Sequence, residues 1–226
     1  MIRLAIDGKK IKVDPGRTLL EAAREHGIHI PTLCYHEALK PLGGCRMCVV
    51  EVETPRGPRV VAACTHPAEE GAEVITDSDN VSSLRQVAAQ LLLARAGHVS
   101  AIRQLAASVG VTDTPYTLPT DACVLCGRCV RACREVVGAN AISMAHRGSE
   151  RTVSSPFRIS SADCIECATC VFVCPTGAIT LSDITDRGRT VHSWSSDYAR
   201  GSCRLCEYHA DHWVETTEQE LPVHGH

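Results

Sequence analysis

The chain has 226 residues, enough for one or two domains, with 14 cysteines, aromatic residues at only 4% and a formal net charge of −3. A charge so nearly balanced offers no electrostatic footprint for nucleic acid or an anionic membrane surface. Few aromatics beside many cysteines mean that something other than a large aromatic core helps to organise the chain. The N-terminal MIRLAIDGKK lacks the apolar run of a signal peptide, and no stretch approaches the ~18 apolar residues of a membrane span, so the expected location is cytoplasmic. In that reducing compartment, cysteine pairs at two-residue spacing are expected to be metal ligands and not disulfides.

Residues 1–78 read as a small sheet with one helix. IRLAI and KIKV flank Asp7-Gly8, a good hairpin turn, and Thr18 with Glu21 forms a capping-box signature ahead of LLEAAREHG, which Gly27 can close. MCVVEVE, RVVAA and AEVIT are short β-rich runs between Pro and Gly, completing a β-grasp order. Residues 79–115 turn helical. Val81, Leu84, Val87, Ala88, Leu91 and Leu92 fall on one helical face, Gly97 is a stop, and Val99, Ile102, Ala106 and Val109 form a second stripe ending at Gly110, which predicts a helical hairpin. PYTLP leads into residues 116–185, which hold an internal repeat, and residues 186–226 form a polar, histidine-rich tail. The expected class is α+β.

The repeat carries the strongest signal. CVLCGRCVRAC places Cys123, Cys126, Cys129 and Cys133 in a C-x2-C-x2-C-x3-C array, and CIECATCVFVC places Cys164, Cys167, Cys170 and Cys174 in the same array 41 residues later. Zinc sites of the four-cysteine kind are the alternative, but they use separated C-x2-C pairs. The spacing resembles that of bacterial-type ferredoxins holding two [4Fe-4S] clusters, in which the fourth cysteine of each array ligates the other cluster. That resemblance implies one cluster on Cys123, Cys126, Cys129 and Cys174 and a second on Cys164, Cys167, Cys170 and Cys133. Three thiolates on one tight loop can hold three corners of a cubane, and a fourth from elsewhere locks the two units together. Pro175 matches the family's proline after the last cysteine, whereas Arg134 stands at the equivalent place in the first array.

The N-terminal set is Cys34, Cys45, Cys48 and Cys64, with ten residues in the first gap where plant-type [2Fe-2S] ferredoxins have four. PTLCYHEALKPLGGCRMCVVEVE resembles the N-terminal ferredoxin domain shared by the large iron-sulfur subunit of respiratory complex I, the diaphorase subunit of NAD-linked hydrogenases, iron-only hydrogenases and NAD-linked formate dehydrogenases. This implies a [2Fe-2S] cluster, a zinc site being the alternative, with Gly43 and Gly44 letting the backbone fold closely around the sulfides. AISMAHRGSERTV is similar to the connection these proteins place between the two cubane motifs. In the tail, Cys203, Cys206, His209 and His212 could form a zinc site or one shared with a partner chain, or Cys203 and Cys206 could be a redox-sensitive or incidental pair.

Between Cys64 and Cys123 there is no cysteine, and His98 stands near the middle. The families resembled commonly carry a further [4Fe-4S] cluster there, in an H-x3-C-x2-C-x5-C pattern. Laid from His98, that pattern lands on Ile102, Leu105 and Val111. Packing residues stand where thiolates would be, so the expected complement is one [2Fe-2S] and two [4Fe-4S] clusters. No G-x-G pattern or P-loop occurs, and all twelve array cysteines are used as ligands, leaving no open iron and no catalytic residue of the chain's own. The expectation is an electron-transfer subunit between a flavin/NAD(P)-binding subunit and a hydrogenase or formate dehydrogenase type catalytic subunit. A free-standing multi-cluster ferredoxin is the alternative; such carriers are usually strongly acidic, and this chain is not.

Overall fold

The computed structural model describes residues 1–155 and 163–181; Cys203, Cys206, His209 and His212 lie outside them. Strands β1 (Ile2–Ile6) and β2 (Lys9–Val13) form a hairpin through Asp7 and Gly8, both at positive φ as a two-residue turn requires. Asp7 also clasps a sequence-distant residue, its carboxylate accepting bonds from the Thr76 N–H and hydroxyl, each at 2.7 Å. With β3 (Val49–Val52), β4 (Arg59–Ala62) and β5 (Glu73–Ile75) the sheet runs β2-β1-β5-β3-β4, β1 and β5 being parallel and the other pairs antiparallel. Leu4, Ile6, Ile11, Val13, Val50 and Val74 pack one face onto helix α1 (Leu19–Glu25), which contributes Leu19, Leu20, Ala22 and Ala23.

Helix α1 starts where the capping box was expected. The Thr18 hydroxyl accepts the Glu21 N–H at 3.2 Å and the Glu21 carboxylate accepts the Thr18 N–H at 2.8 Å, closing two otherwise orphaned donors. Thr18→Ala is expected to cost about 1 kcal/mol, read as a lower denaturant midpoint with an unchanged slope. An unshifted midpoint would show that the isolated bridge between Thr18 and Pro67 holds this helix end by itself.

Every residue of β3 is buried, because helix α2 (Asp79–Ala96) covers the opposite face of the sheet. Ser78 caps α2, and its hydroxyl also donates to the buried Glu51 carboxylate at 3.1 Å, while Arg85 donates to the Val49 carbonyl at 2.7 Å. The face that packs is therefore Val81, Arg85, Ala89 and Ala96, with Ala88 and Leu92 beside it. This corrects the expected stripe: Leu84, Val87 and Leu91 are exposed. Small alanines let α2 approach its neighbours, and the guanidinium satisfies a strand carbonyl that leucine could not.

Helix α3 (Ser100–Ser108) folds back on α2 and buries Ile102 and Ala106, as its own stripe predicts. Ile102, Ala106, Val111, Ala89, Ala96, Leu33 and Met47 form one cluster, with Cys45, Leu105 and Val124 packed against it. The hairpin thus lies between the N-terminal cysteines and the start of the first array. Arg95 ties it to the latter, donating to the Cys123 carbonyl at 2.6 Å and pairing with Asp121 at 3.0 Å. Short helix α4 (Arg128–Arg131) runs into a π-helical turn (Ala132–Val137), the hairpin β6 (Ser143–Ala145) and β7 (Thr152–Ser154) follows, and α5 (Thr169–Phe172) repeats α4 in the second array.

Candidate metal centres

Cys34, Cys45, Cys48 and Cys64 meet at the end of the small sheet, all but Cys45 fully buried. Their thiols touch in pairs. The hydrogen bond with Cys45 brings Cys34 down to about 5 and, with burial, pushes Cys45 up; the bond between Cys48 and Cys64 likewise raises Cys48 and lowers Cys64. Backbone N–H groups of Gly44, Met47 and Gly43 point at the sulfurs of Cys34, Cys45 and Cys64. Donors so aimed stabilise thiolates and sulfides, which is what a [2Fe-2S] loop needs. Gly43 is buried at φ +65°, and a Cβ there would come within 3.3 Å of the Thr65 methyl, so any other residue would be both strained and crowded.

The two arrays fold alike. Leu125 and Glu166 share a positive φ, as do Gly127 and Ala168, each pair 41 residues apart, so one left-handed backbone pattern turns both C-x2-C-x2-C loops into their short helices. Burial pushes most of these thiols up, Cys129 and Cys170 to about 12. Cys174 is partly buried too, yet hydrogen bonds from the Thr176 hydroxyl and N–H and from the N–H groups of Ala178 and Ile179 leave it lowered. Buried thiols without charge compensation hold their protons until a cation displaces them.

The thiols act on one another crosswise. Cys174 bears electrostatically on Cys123, Cys126 and Cys129. Cys133 bears instead on Cys164 and Cys170, and is itself raised by Cys167. Cys133, Cys164, Cys167 and Cys170 line one cavity with Val137, Ala139 and Ala141. Among the described residues no three His, Cys, Asp or Glu side chains converge on a site for one metal ion. Donors around a cavity suit a polynuclear cluster better than a zinc ion, whose sulfurs all lie about 2.3 Å from one point.

Residues 1–79 match the model of the 2Fe-2S iron-sulfur cluster binding domain, and residues 122–178 match the model of the 4Fe-4S dicluster domain. The chain is an iron-sulfur protein. It is 32% identical over 93% of its length to the NADPH-Fe(3+) oxidoreductase subunit alpha of Geobacter sulfurreducens. Over 79% of its length it is 34% identical to the NADP-reducing hydrogenase subunit HndD of Solidesulfovibrio fructosivorans and, equally, to an NADH-quinone oxidoreductase subunit of Rhizobium meliloti. The alignments span only 28%, 36% and 24% of those relatives. A chain in the crystal structure of the NAD+-reducing [NiFe]-hydrogenase in its H2-reduced state superposes with a TM-score of 0.65 at 28% identity, over 78% of the iron-sulfur chain and 86% of that chain.

The structure also brings in residues that a search for ligands passes over. The ten-residue gap after Cys34 is a tongue laid on the dicluster region. Arg128 donates to the Tyr35 carbonyl at 2.6 Å, Arg131 donates to the carbonyls of Cys34 and Lys40, and the Glu135 carboxylate accepts the Lys40 N–H at 3.0 Å. Leu39 packs with Cys129, Ala132 and Val173, and Leu42 lies beside Gly127. The gap's departure from plant-type spacing is the one sequence sign of this docking. His98 is exposed and contributes its carbonyl to Arg103 at 3.0 Å. Among the described residues no helix is long and apolar enough to cross a membrane.

Proposed function

We propose that the iron-sulfur chain is an electron-relay subunit. Cys34, Cys45, Cys48 and Cys64 would hold a [2Fe-2S] cluster, Cys123, Cys126, Cys129 and Cys174 one [4Fe-4S] cluster, and Cys164, Cys167, Cys170 and Cys133 another. Such clusters, when bound, accept and release single electrons. The protein's share is to fix the three thiol sets in space, bury them and aim N–H groups at sulfur. The observation that carries this reading is the docked tongue: the first set's loop lies directly on the second set's helix, making adjacent stations of two domains that could otherwise be independent.

The ends of the relay are a flavin/NAD(P)-binding subunit and a catalytic oxidoreductase subunit of hydrogenase or formate dehydrogenase type. Two observations support this: the names of the relatives, and the stripe of Leu84, Val87 and Leu91 on α2, each more than two-fifths exposed and suited to burial against a partner. Native pull-down of the chain is expected to recover a flavoprotein, and the chain purified alone is expected not to reduce viologen dyes with NADH. A monodisperse monomer in cell extract would instead indicate a diffusible ferredoxin, and dye reduction by the lone chain would overturn the subunit reading.

A further inference from the structure

Two arginines lie between the N-terminal thiols and the first array without being ligands to either. Arg131 is 4% exposed and Arg128 is partly buried, yet neither forms an ion pair with a carboxylate among the described residues. Their outer nitrogens donate to backbone carbonyls of the tongue, and the Nε of each is buried without a hydrogen-bond partner. A buried cation lacking a counter-charge costs several kcal/mol. The groups that face these two are thiols on both sides, the His36 ring and, for Arg131, the Glu135 carboxylate. Arg128 lies in the field of Cys126, Cys34 and Cys45, and Arg131 in that of Cys34. Glu135 supplies part of the counter-charge to Arg131; the rest, and that for Arg128, is the negative charge of the loaded clusters, one on each side.

Resting on the proposed cluster assignment, we infer that Arg128 and Arg131 are positioning residues: a cationic clamp that docks the Cys34–Cys45 tongue onto the first cubane array and raises the reduction potential of the [2Fe-2S] cluster. Geometry favours arginine, whose planar fork reaches two carbonyls at once; a lysine at 131 would keep the charge and release one of them. Electrostatics gives the direction, since an electron added beside a desolvated cation is stabilised far more than in water. The step served is the passage of one electron between two sites of the same chain. No bond forms or breaks. In the unloaded chain Glu135 alone among the carboxylates compensates this pair, so cluster loading and tongue docking reinforce each other.

The test is an EPR-monitored redox titration of anaerobically prepared full-length chain, with iron content measured on each sample. Arg131→Gln is expected to lower the midpoint of the [2Fe-2S] signal by at least about 59 mV, tenfold in its one-electron equilibrium constant. Arg131→Lys is expected to recover more than half of that shift, and Arg134→Gln, which removes an exposed charge from the same segment, is expected to leave the midpoint in place. Should Arg131→Gln lose iron, Arg128→Gln takes over with the same expected direction. Midpoints within twofold of the wild-type constant, at unchanged iron, overturn the clamp while leaving the relay intact. A wild-type chain with no reducible [2Fe-2S] signal overturns the cluster assignment on which the clamp rests.

Discussion

Cys174→Ser is expected to abolish the cluster held by Cys123, Cys126 and Cys129 and to spare the one beside it in sequence. The physical ground is the crossed arrangement of the sulfurs. Cys174 sits among the first array's thiols, and four N–H and hydroxyl groups from Thr176, Ala178 and Ile179 already favour its thiolate there. A serine hydroxyl in this place cannot supply that soft anionic ligand at neutral pH, and three thiolates hold a cubane poorly. Iron should fall from about 10 to about 6 per chain. The decisive comparison is spectroscopic: the low-temperature EPR spectrum of reduced Cys174→Ser should match that of Cys123→Ser. A match to Cys164→Ser would overturn the crossing, because it would place Cys174 with its sequence neighbours.

The second large effect concerns the cysteine-free hairpin. Ile102 is 1% exposed and packs with Ala106, Val111, Leu33 and Met47, so Ile102→Ala is expected to open a cavity costing about 2–5 kcal/mol. For a chain of this size that lowers the apparent Tm by about 2–4 °C per kcal/mol, measured at one fixed scan rate since cluster loss makes unfolding irreversible. Because this core also holds Cys45 and Val124, the variant should lose [2Fe-2S] absorbance before its [4Fe-4S] absorbance on heating. His98→Ala, at an exposed helix junction, should change neither stability nor any reducible signal. Iron near 14 per chain, or a signal lost in His98→Ala, would reveal a fourth cluster in this region.

The legible features were those written in short-range chemistry. Ligand spacing within each array is local, and the 41-residue displacement repeats down to the left-handed backbone at Leu125 and Glu166. The Thr18 cap, the Asp7-Gly8 turn and the α3 stripe obey rules that act over a few residues, and each stands where the pattern put it. Helix α2 defeats the same reasoning. Leu84 and Leu91 face outward because the sheet beneath presents a strand carbonyl and a carboxylate, Val49 and Glu51, which call for Arg85 and Ser78 instead. Periodicity counts apolar residues and cannot see what waits on the other side. Arg128 and Arg131 were equally illegible: their partners lie 91 to 97 residues away, and nothing within CVLCGRCVRAC distinguishes an arginine that reaches another domain from one that faces solvent.

The placement of Cys174 has a consequence for synthesis on the ribosome. The N-terminal thiol set is complete once Cys64 has emerged, before any cysteine of the first array. In the proposed crossed ligation, the set that includes Cys123 waits, once Cys129 has emerged, for a residue 45 positions later (174 − 129), about 2–9 s at ordinary elongation rates. During that interval Cys123, Cys126 and Cys129 are an open three-thiol loop in a nascent chain, able to capture a stray soft metal but unable to close a cubane. With the proposed crossed ligation, cluster delivery to this half of the protein follows, and does not accompany, the making of its first array.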